Sequence, residues 1–174
     1  MWLFYTILVL VILVLLLGFI APKSYSVSRS AIISKPLAEV YNYLKYLKNQ
    51  DDWSPWMQRD ANIKKSYSGI DGEPGFISRW EGNKEVGSGE QELIALEDNT
   101  RIDSELRFIK PFKSTSDAFM KVERADENAT KVTWGFSGHS KFPLNIIYLF
   151  MNLDKMVGKD FEEGLINLKK KLEA

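Results

Sequence analysis

Few residues in this chain are suited to acid–base or nucleophilic chemistry. Its 174 residues include one histidine, His139, and no cysteine. A catalytic histidine needs a neighbouring group that orients it, and no motif around His139 supplies one, so a surface histidine is the favoured interpretation. The adjacent carboxylates Asp51 and Asp52 lie in a polar stretch, where such groups usually cap turns or face solvent. We therefore predict no catalytic residue.

Metal, cofactor and nucleic-acid sites find equally little support. One histidine, no cysteine and scattered carboxylates give no ligand spacing for zinc or calcium. Gly87-Ser88-Gly89 lacks the lysine and helix that follow a phosphate-binding loop, so we expect a β-bulge or tight bend there. Basic and acidic residues balance at 23 each, whereas nucleic-acid binding needs a concentrated basic face. We expect no metal, no cofactor and no nucleic-acid partner.

Aromatic side chains are the stronger candidates for a binding site, and they make up 13% of the chain. Core packing and pockets for apolar ligands use the same residue types, so the sequence leaves both interpretations open. The predicted ligand-binding residues are Trp53, Trp56, Trp80, Phe119, Trp134, Phe136, Phe150 and Phe161.

A long C-terminal helix would position the last two of these residues. Apolar residues recur every three or four positions from Phe142 to Lys171, which predicts one continuous helix about 40 Å long. Pro143 suits its first turn. Such a helix needs a sheet on which to bury its apolar stripe.

The middle of the chain predicts that sheet. A strand at Tyr25 to Ile33 precedes a helix at Leu37 to Leu47 and a polar stretch broken at Pro55. Alternation predicts that Arg79 and Arg107 face solvent and that Leu106 and Phe108 face inward. Short turns between the later strands favour an antiparallel meander and an α+β fold. These strands are predicted at 63–68, 76–81, 85–96, 101–108, 112–124 and 131–139.

The N-terminal stretch from Trp2 to Ile20 is uncharged and apolar. Its 19 residues are about enough to cross a hydrocarbon core of roughly 30 Å. A cleaved signal peptide is the alternative, but the start lacks Lys and Arg, and Gly18 to Pro22 shows no clear cleavage pattern. We expect an uncleaved anchor.

The predicted organisation is therefore a transmembrane anchor at residues 1–22 and one domain at residues 23–174. This arrangement places the protein in the cell membrane as a single-pass protein. Lys23 and Arg29 follow the span, which favours the cytoplasmic side for the domain.

Several segments resemble the START-like (SRPBCC) superfamily. The first is the strand–helix opening from Val27 to Leu44. The others are Trp53-Ser54-Pro55-Trp56, Trp80 to Gly89, Lys131 to Trp134 and Met156 to Glu162. The similarity runs from Tyr25 to the end of the chain, and it is strongest to the bacterial polyketide cyclase/dehydrase and lipid-transport-like group. It implies a helix-grip fold, in which a curved antiparallel sheet surrounds a long C-terminal helix.

The resemblance and the anchor together predict a membrane-anchored monomer that binds a hydrophobic, lipid-like small molecule between sheet and helix. Two alternatives stay open, because the superfamily also contains aromatase/cyclases and members with no assigned ligand. A cyclase- or dehydratase-type enzyme would need a polar pair inside the pocket, for which Arg79, Arg107 and Glu85 are candidates. A ligand-free interaction domain would have a filled core.

Overall fold

A seven-stranded antiparallel sheet and a long C-terminal helix form the domain. The structure is a computed structural model that describes residues 1–174, including every side chain except that of Leu144. The helices are α1 (Trp2–Ile20), α2 (Leu37–Leu44), α3 (Pro55–Gln58) and α4 (Leu153–Glu173), with 3-10 helices at Leu47–Asp52 and Leu144–Leu149. The strands are β1 (Ser24–Ile33), β2 (Lys64–Ser68), β3 (Ile77–Glu81), β4 (Ser88–Glu97), β5 (Arg101–Lys110), β6 (Ser114–Asp126) and β7 (Ala129–His139).

The strand order is β1-β7-β6-β5-β4-β3-β2, so β1 and β2 form the two edges. Strands β2 to β7 follow one another as a meander, and β7 then pairs with the first strand of the chain. The sheet is curved, and the predicted α+β class with a helix-grip architecture is confirmed.

The inner face of the sheet, which faces α4, is set by strand alternation. On β5, Ile102 and Ser104 are buried on this face, and Leu106 and Phe108 follow them at half-buried positions. The predicted bulge is confirmed, because the β4–β5 register shifts between Ser88 and Gly89. Strand β4 starts later than the predicted position 85 because two backbone hydrogen bonds close the turn before it. The Gly82 N–H donates to the carbonyl oxygen of Gly87, and the Gly87 N–H donates to that of Asn83, both at 2.8 Å.

The predicted continuous helix from position 142 is wrong, because the segment divides into two helices. The 3-10 helix Leu144–Leu149 comes first, and α4 begins only at Leu153. The side chain of Asn152 accepts a hydrogen bond from the Lys155 backbone N–H at 2.9 Å, which caps α4 at that point. With 21 residues, α4 is about 32 Å long. Phe150 falls between the two helices.

Helix α4 packs closely on β1 and β7. Phe161, Leu165 and Leu168 are buried on its inner side. A Cβ atom at Gly164 would lie 2.6 Å from Cζ3 of Trp134, so glycine is needed for this close approach. Arg29 on β1 ties the first half of the helix to the sheet through ion pairs with Asp154 and Glu162.

The opposite end of the sheet is filled by α2. Val40, Tyr41 and Leu44 are buried there, and Ile33 at the end of β1 is fully buried with them. The inner face is therefore closed at the end distant from α1. Any space for a ligand has to lie nearer to the end where the chain enters the domain from α1.

Helix α1 is long and apolar enough to cross a membrane, and most of its side chains are exposed. Its last turn is attached to the domain. Gly18 lies against the ring of Phe142, and the amide of the fully buried Asn145 donates to the carbonyl oxygens of Gly18 at 2.8 Å and Ala21 at 3.3 Å. The end of α1 is thus fixed to the Leu144–Leu149 helix.

Candidate functional site

Five of the predicted ligand-binding residues form one aromatic cluster between sheet and helix. Trp134 stacks on Phe161 with ring centroids 4.4 Å apart, and Trp53 meets Trp134 edge-on at 4.9 Å. Trp56 lies 5.5 Å from Trp134, and Phe136 lies 5.7 Å from Phe161. The rings are packed against one another, so this cluster is part of the hydrophobic core.

The cluster also contains an unpaired polar group. The indole nitrogen of Trp53 is buried and has no hydrogen-bond acceptor among the described residues. A buried donor without a partner is costly, so an oxygen atom that reached this position would gain a hydrogen bond.

The prediction that Phe119 lines the space between sheet and helix is wrong. Ala118 and Met120 point inward on β6, so alternation turns Phe119 to the outer face. Its ring covers Gly135 there, and the guanidinium of Arg101 lies 4.3 Å from its centroid. This side chain has a packing role on the far side of the sheet.

Trp80 and Phe150 lie apart from the cluster. Trp80 is half-buried on the inner face of β3, where its ring meets that of Phe108 at 5.9 Å. Phe150 was predicted to lie on the long C-terminal helix, but it lies in the connection before α4. Its side chain is 78% exposed.

The inner face next to α1 forms a floor of buried and half-buried residues, which we call the proximal floor. Its first row follows directly from the strand register, since the paired positions on β1, β7, β6, β5 and β4 share one face. A second row lies beside it on β5, β4 and β3. The proximal floor consists of Tyr25, Gly138, Ser116, Leu106 and Gln91, followed by Phe108, Gly89 and Trp80.

The proximal floor carries neutral polar groups within an apolar surface. The hydroxyl groups of Tyr25 and Ser116 are 2.8 Å apart, and the Gln91 amide donates to the Ser104 hydroxyl at 2.9 Å. Burial raises the pKa of Tyr25 above its usual value, so its phenol stays neutral at physiological pH and can donate a hydrogen bond.

The charged residues considered for an enzyme lie elsewhere. Arg79 and Arg107 are on the outer face, where both pair with Glu90, at 2.8 and 2.6 Å. Their predicted orientation toward solvent is therefore confirmed. Glu85 lies in the turn before β4 and is 3.8 Å from Arg59. None of these three residues belongs to the proximal floor.

A groove of about 440 Å³ runs along the free edge of β1 and adjoins the proximal floor. Tyr25 belongs to both, and the ring of Tyr148 packs edge-on against it at 5.2 Å. Phe150 lies at the exposed side of this groove. The remaining lining residues include Pro22, Val27, Leu149, Met151 and Leu153, so the groove begins directly after the end of α1.

A second groove, of about 610 Å³, lies across β1, β7 and β6 at the end of the sheet near α1. Its lining contains Tyr25, Ser116 and Gly138 of the proximal floor together with neighbouring residues of the same strands, among them Asp117 and His139. His139 is exposed at the end of β7, in agreement with the predicted surface histidine.

The carboxylate pair in the polar stretch is engaged in ion pairs. Asp51 lies 2.6 Å from the ammonium of Lys65, and Asp52 lies 2.9 Å from that of Lys171. The Lys171 ammonium holds the pKa of Asp52 below its usual value. These contacts give the pair a structural role at the junction of the 3-10 helix, β2 and α4.

Sequence reasoning missed most of the proximal floor. Alternation on β5 correctly predicts that Leu106 and Phe108 face inward, but residue type alone favours other aromatic residues as ligand contacts. Tyr25 and Ser116 become neighbours only through the pairing of β1, β7 and β6, which joins positions 91 residues apart. The sequence does indicate which residues of each strand face inward, and that position, rather than residue type, identifies the members of the proximal floor.

A curved antiparallel sheet around one long C-terminal helix defines the helix-grip class of the START-like (SRPBCC) superfamily, and the resemblance seen in the sequence is confirmed. Within that class, the chain belongs to the family described as polyketide cyclase / dehydrase and lipid transport, whose model matches residues 24–173. The match runs from the first residue of β1 to the last residue of α4 and leaves α1 outside it.

Solved structures share this fold at low sequence identity. A Thermobifida fusca protein has a TM-score of 0.64 and 18% identity, over 84% of this chain and 92% of its own. The Zhui aromatase/cyclase of a Streptomyces species has a TM-score of 0.61 and 12% identity, over 86% and 94%. Ara h 8.0201 has a TM-score of 0.56 and 15% identity, over 86% and 95%. No curated protein matches the chain in sequence.

Proposed function

We propose that the protein is a membrane-anchored binding protein for a hydrophobic, lipid-like molecule. Residues 1–22 form the anchor, and residues 23–174 form the binding domain on the cytoplasmic side. The observation that carries this proposal is the groove of about 440 Å³ that starts at Pro22, beside the end of α1, and adjoins the proximal floor at Tyr25. The family supports a hydrophobic ligand or cyclase-like role in general terms.

The groove and the proximal floor together suit an extended apolar molecule. The groove volume lies within the range of roughly 300–1,000 Å³ typical of small-molecule sites. An acyl or isoprenoid chain that buried roughly 300 Å² here would gain about 7 kcal/mol from the hydrophobic effect. Binding therefore needs no covalent chemistry, and Tyr25 is the residue that a ligand would contact in both the groove and the floor.

The polar groups of the proximal floor favour a neutral head group. All of its members are uncharged residues, and Lys65, next to Trp80 on β2, is occupied by Asp51 at 2.6 Å. The Tyr25 and Ser116 hydroxyls can exchange hydrogen bonds with a carbonyl or hydroxyl group. We therefore favour neutral lipids such as diacylglycerols or quinones over phosphorylated ones.

Photo-crosslinking of the full chain in lipid nanodiscs tests the proposal. Diazirine-bearing analogues of diacylglycerol, quinone and fatty acid would be illuminated in the presence of the protein, and the crosslinked residues mapped by mass spectrometry. We expect crosslinks on the inner positions of β3, β4 and β5 with the neutral probes. Crosslinks restricted to α1 would refute ligand binding by the domain.

A matched pair of variants on β5 controls for contact with bulk lipid. Leu106→Trp fills the proximal floor, whereas Ile109→Trp adds the same side chain at an exposed position on the other face of the strand. We expect Leu106→Trp to lose the crosslinks within the sheet and to keep those on α1. Ile109→Trp should keep both. Equal crosslinking of the two variants within the sheet would place the ligand elsewhere.

A further inference from the structure

The domain exposes apolar side chains next to the end of α1. Phe112 is 81% exposed, Phe142 51% and Ile147 47%. Phe150 and Met151 extend the same exposed surface toward the start of α4. A soluble domain rarely leaves so many large apolar side chains grouped in water, so this surface has a partner.

Strand register brings the loop that contains Phe112 to the same end of the sheet as α1. The first residue of β1, Ser24, pairs with His139 at the end of β7. On β6, Ser116 pairs with Gly138 beside His139, and Ser114 at the start of β6 pairs with Phe108 near the end of β5. The β5–β6 connection at 111–113 therefore lies at the end where β1 begins, directly after α1.

The connections at the end near α1 are basic. They carry Lys23, Lys84, Lys113 and Lys141, with Glu85 as their acidic residue. The far end has mixed charge, because lysines such as Lys48 and Lys171 lie there beside the carboxylates. A set of lysines without matching carboxylates therefore surrounds the exposed apolar side chains near α1.

We propose that this end of the domain lies flat on an anionic lipid bilayer. Phe112 and the exposed residues of segment 142–151 insert at the interface, and the lysines contact anionic head groups. The inference rests on the proposed anchoring, because α1 brings the bilayer to this surface through its contacts with Phe142 and Asn145. The groove that begins at Pro22 then opens at the membrane surface.

Single-cysteine labelling tests this contact in the full chain, which contains no native cysteine. Phe112→Cys and the distal control Asn128→Cys would carry an environment-sensitive fluorophore in vesicles of phosphatidylcholine and phosphatidylglycerol. Position 112 is exposed, so the change does not disturb packing. We expect a blue-shifted emission at position 112 and severalfold stronger quenching by nitroxide lipids than at position 128. Pure phosphatidylcholine vesicles should weaken both effects at position 112.

A third label separates this inference from the anchoring on which it rests. Leu10→Cys lies in the middle of α1 and should be quenched by nitroxide lipids if the helix spans the bilayer. Quenching at position 10 with a water-exposed label at position 112 would overturn the surface contact and keep the anchor. A water-exposed label at position 10 would overturn the anchor itself, and the surface contact with it.

Discussion

Replacement of Gly164 by alanine should loosen the contact between α4 and the sheet. The added Cβ would lie 2.6 Å from Cζ3 of Trp134 and 3.1 Å from Cδ of Pro55, both inside normal contact distance. Trp134 cannot retreat freely, because it is stacked on Phe161 and meets Trp53 and Trp56 edge-on. The helix must therefore move away, or the whole aromatic cluster must shift.

Two opposing contributions, overpacking and helix propensity, determine how Gly164→Ala changes the free energy of unfolding. Overpacking of a tight core costs up to about 3 kcal/mol, and the Cβ–ring distance places Gly164→Ala near that limit. Alanine recovers about 1 kcal/mol over glycine within a helix. The expected net loss is about 2 kcal/mol in the free energy of unfolding. With a urea slope of about 2 kcal/mol per M, the unfolding midpoint should fall by about 1 M.

Urea unfolding of the full chain in mild detergent, followed by tryptophan fluorescence, measures this midpoint. Lys159→Ala, an exposed change on the same helix, is the matched control and should leave it unchanged. The near-ultraviolet circular dichroism of the Trp134–Phe161 stack should weaken only in the glycine variant. An unchanged or higher midpoint for Gly164→Ala would show that α4 does not depend on close contact at this position.

Two further predictions concern the ends of the domain. Asn145→Leu removes the hydrogen-bond donor to the carbonyl oxygens at the end of α1, which costs about 1–3 kcal/mol for buried groups. Trypsin should therefore cleave at Lys23 faster, while the urea midpoint of the domain changes little. Unchanged cleavage would mean that the Asn145 amide does not hold the junction between α1 and the domain. Arg29 holds the pKa of Asp154 below its ordinary value of 3.8, so the folded state binds fewer protons than the unfolded state and this contribution to stability is lost as pH falls through the folded pKa. Arg29→Met should therefore flatten the acid side of the stability–pH curve below about pH 4, measured by thermal unfolding, and an unaltered acid limb would contradict the assignment.

Local patterns predicted the sheet well and the C-terminal segment less well. Alternation placed Leu106, Phe108 and Arg107 on the correct faces, because a strand next to a core has only two orientations for each side chain. The break before Leu153 escaped prediction because apolar spacing continues through it, while Asn152 caps α4 and Asn145 is used to hold the end of α1. The role of Asn145 depends on partners distant in sequence.

The candidate site was predicted only in part, for a related physical reason. Residue type identified rings that can bury apolar area, and five of them do so, but in the core. Which apolar surface stays half-buried depends on where α4 and α2 end relative to the sheet. That relation fixes Tyr25 and Leu106 as part of the proximal floor, and it is a property of the assembled domain.

The connection between α1 and β1 consists of Ala21, Pro22 and Lys23. Three residues span at most about 10 Å, so the domain can move only a short distance relative to α1. Under the proposed anchoring, the domain would sample ligand at its density in the plane of the membrane, and it could not carry a ligand across a wide aqueous gap. Onward transfer then requires that the acceptor diffuse to the membrane and collide with the domain there. The short tether thus favours a stationary presenter over a shuttle.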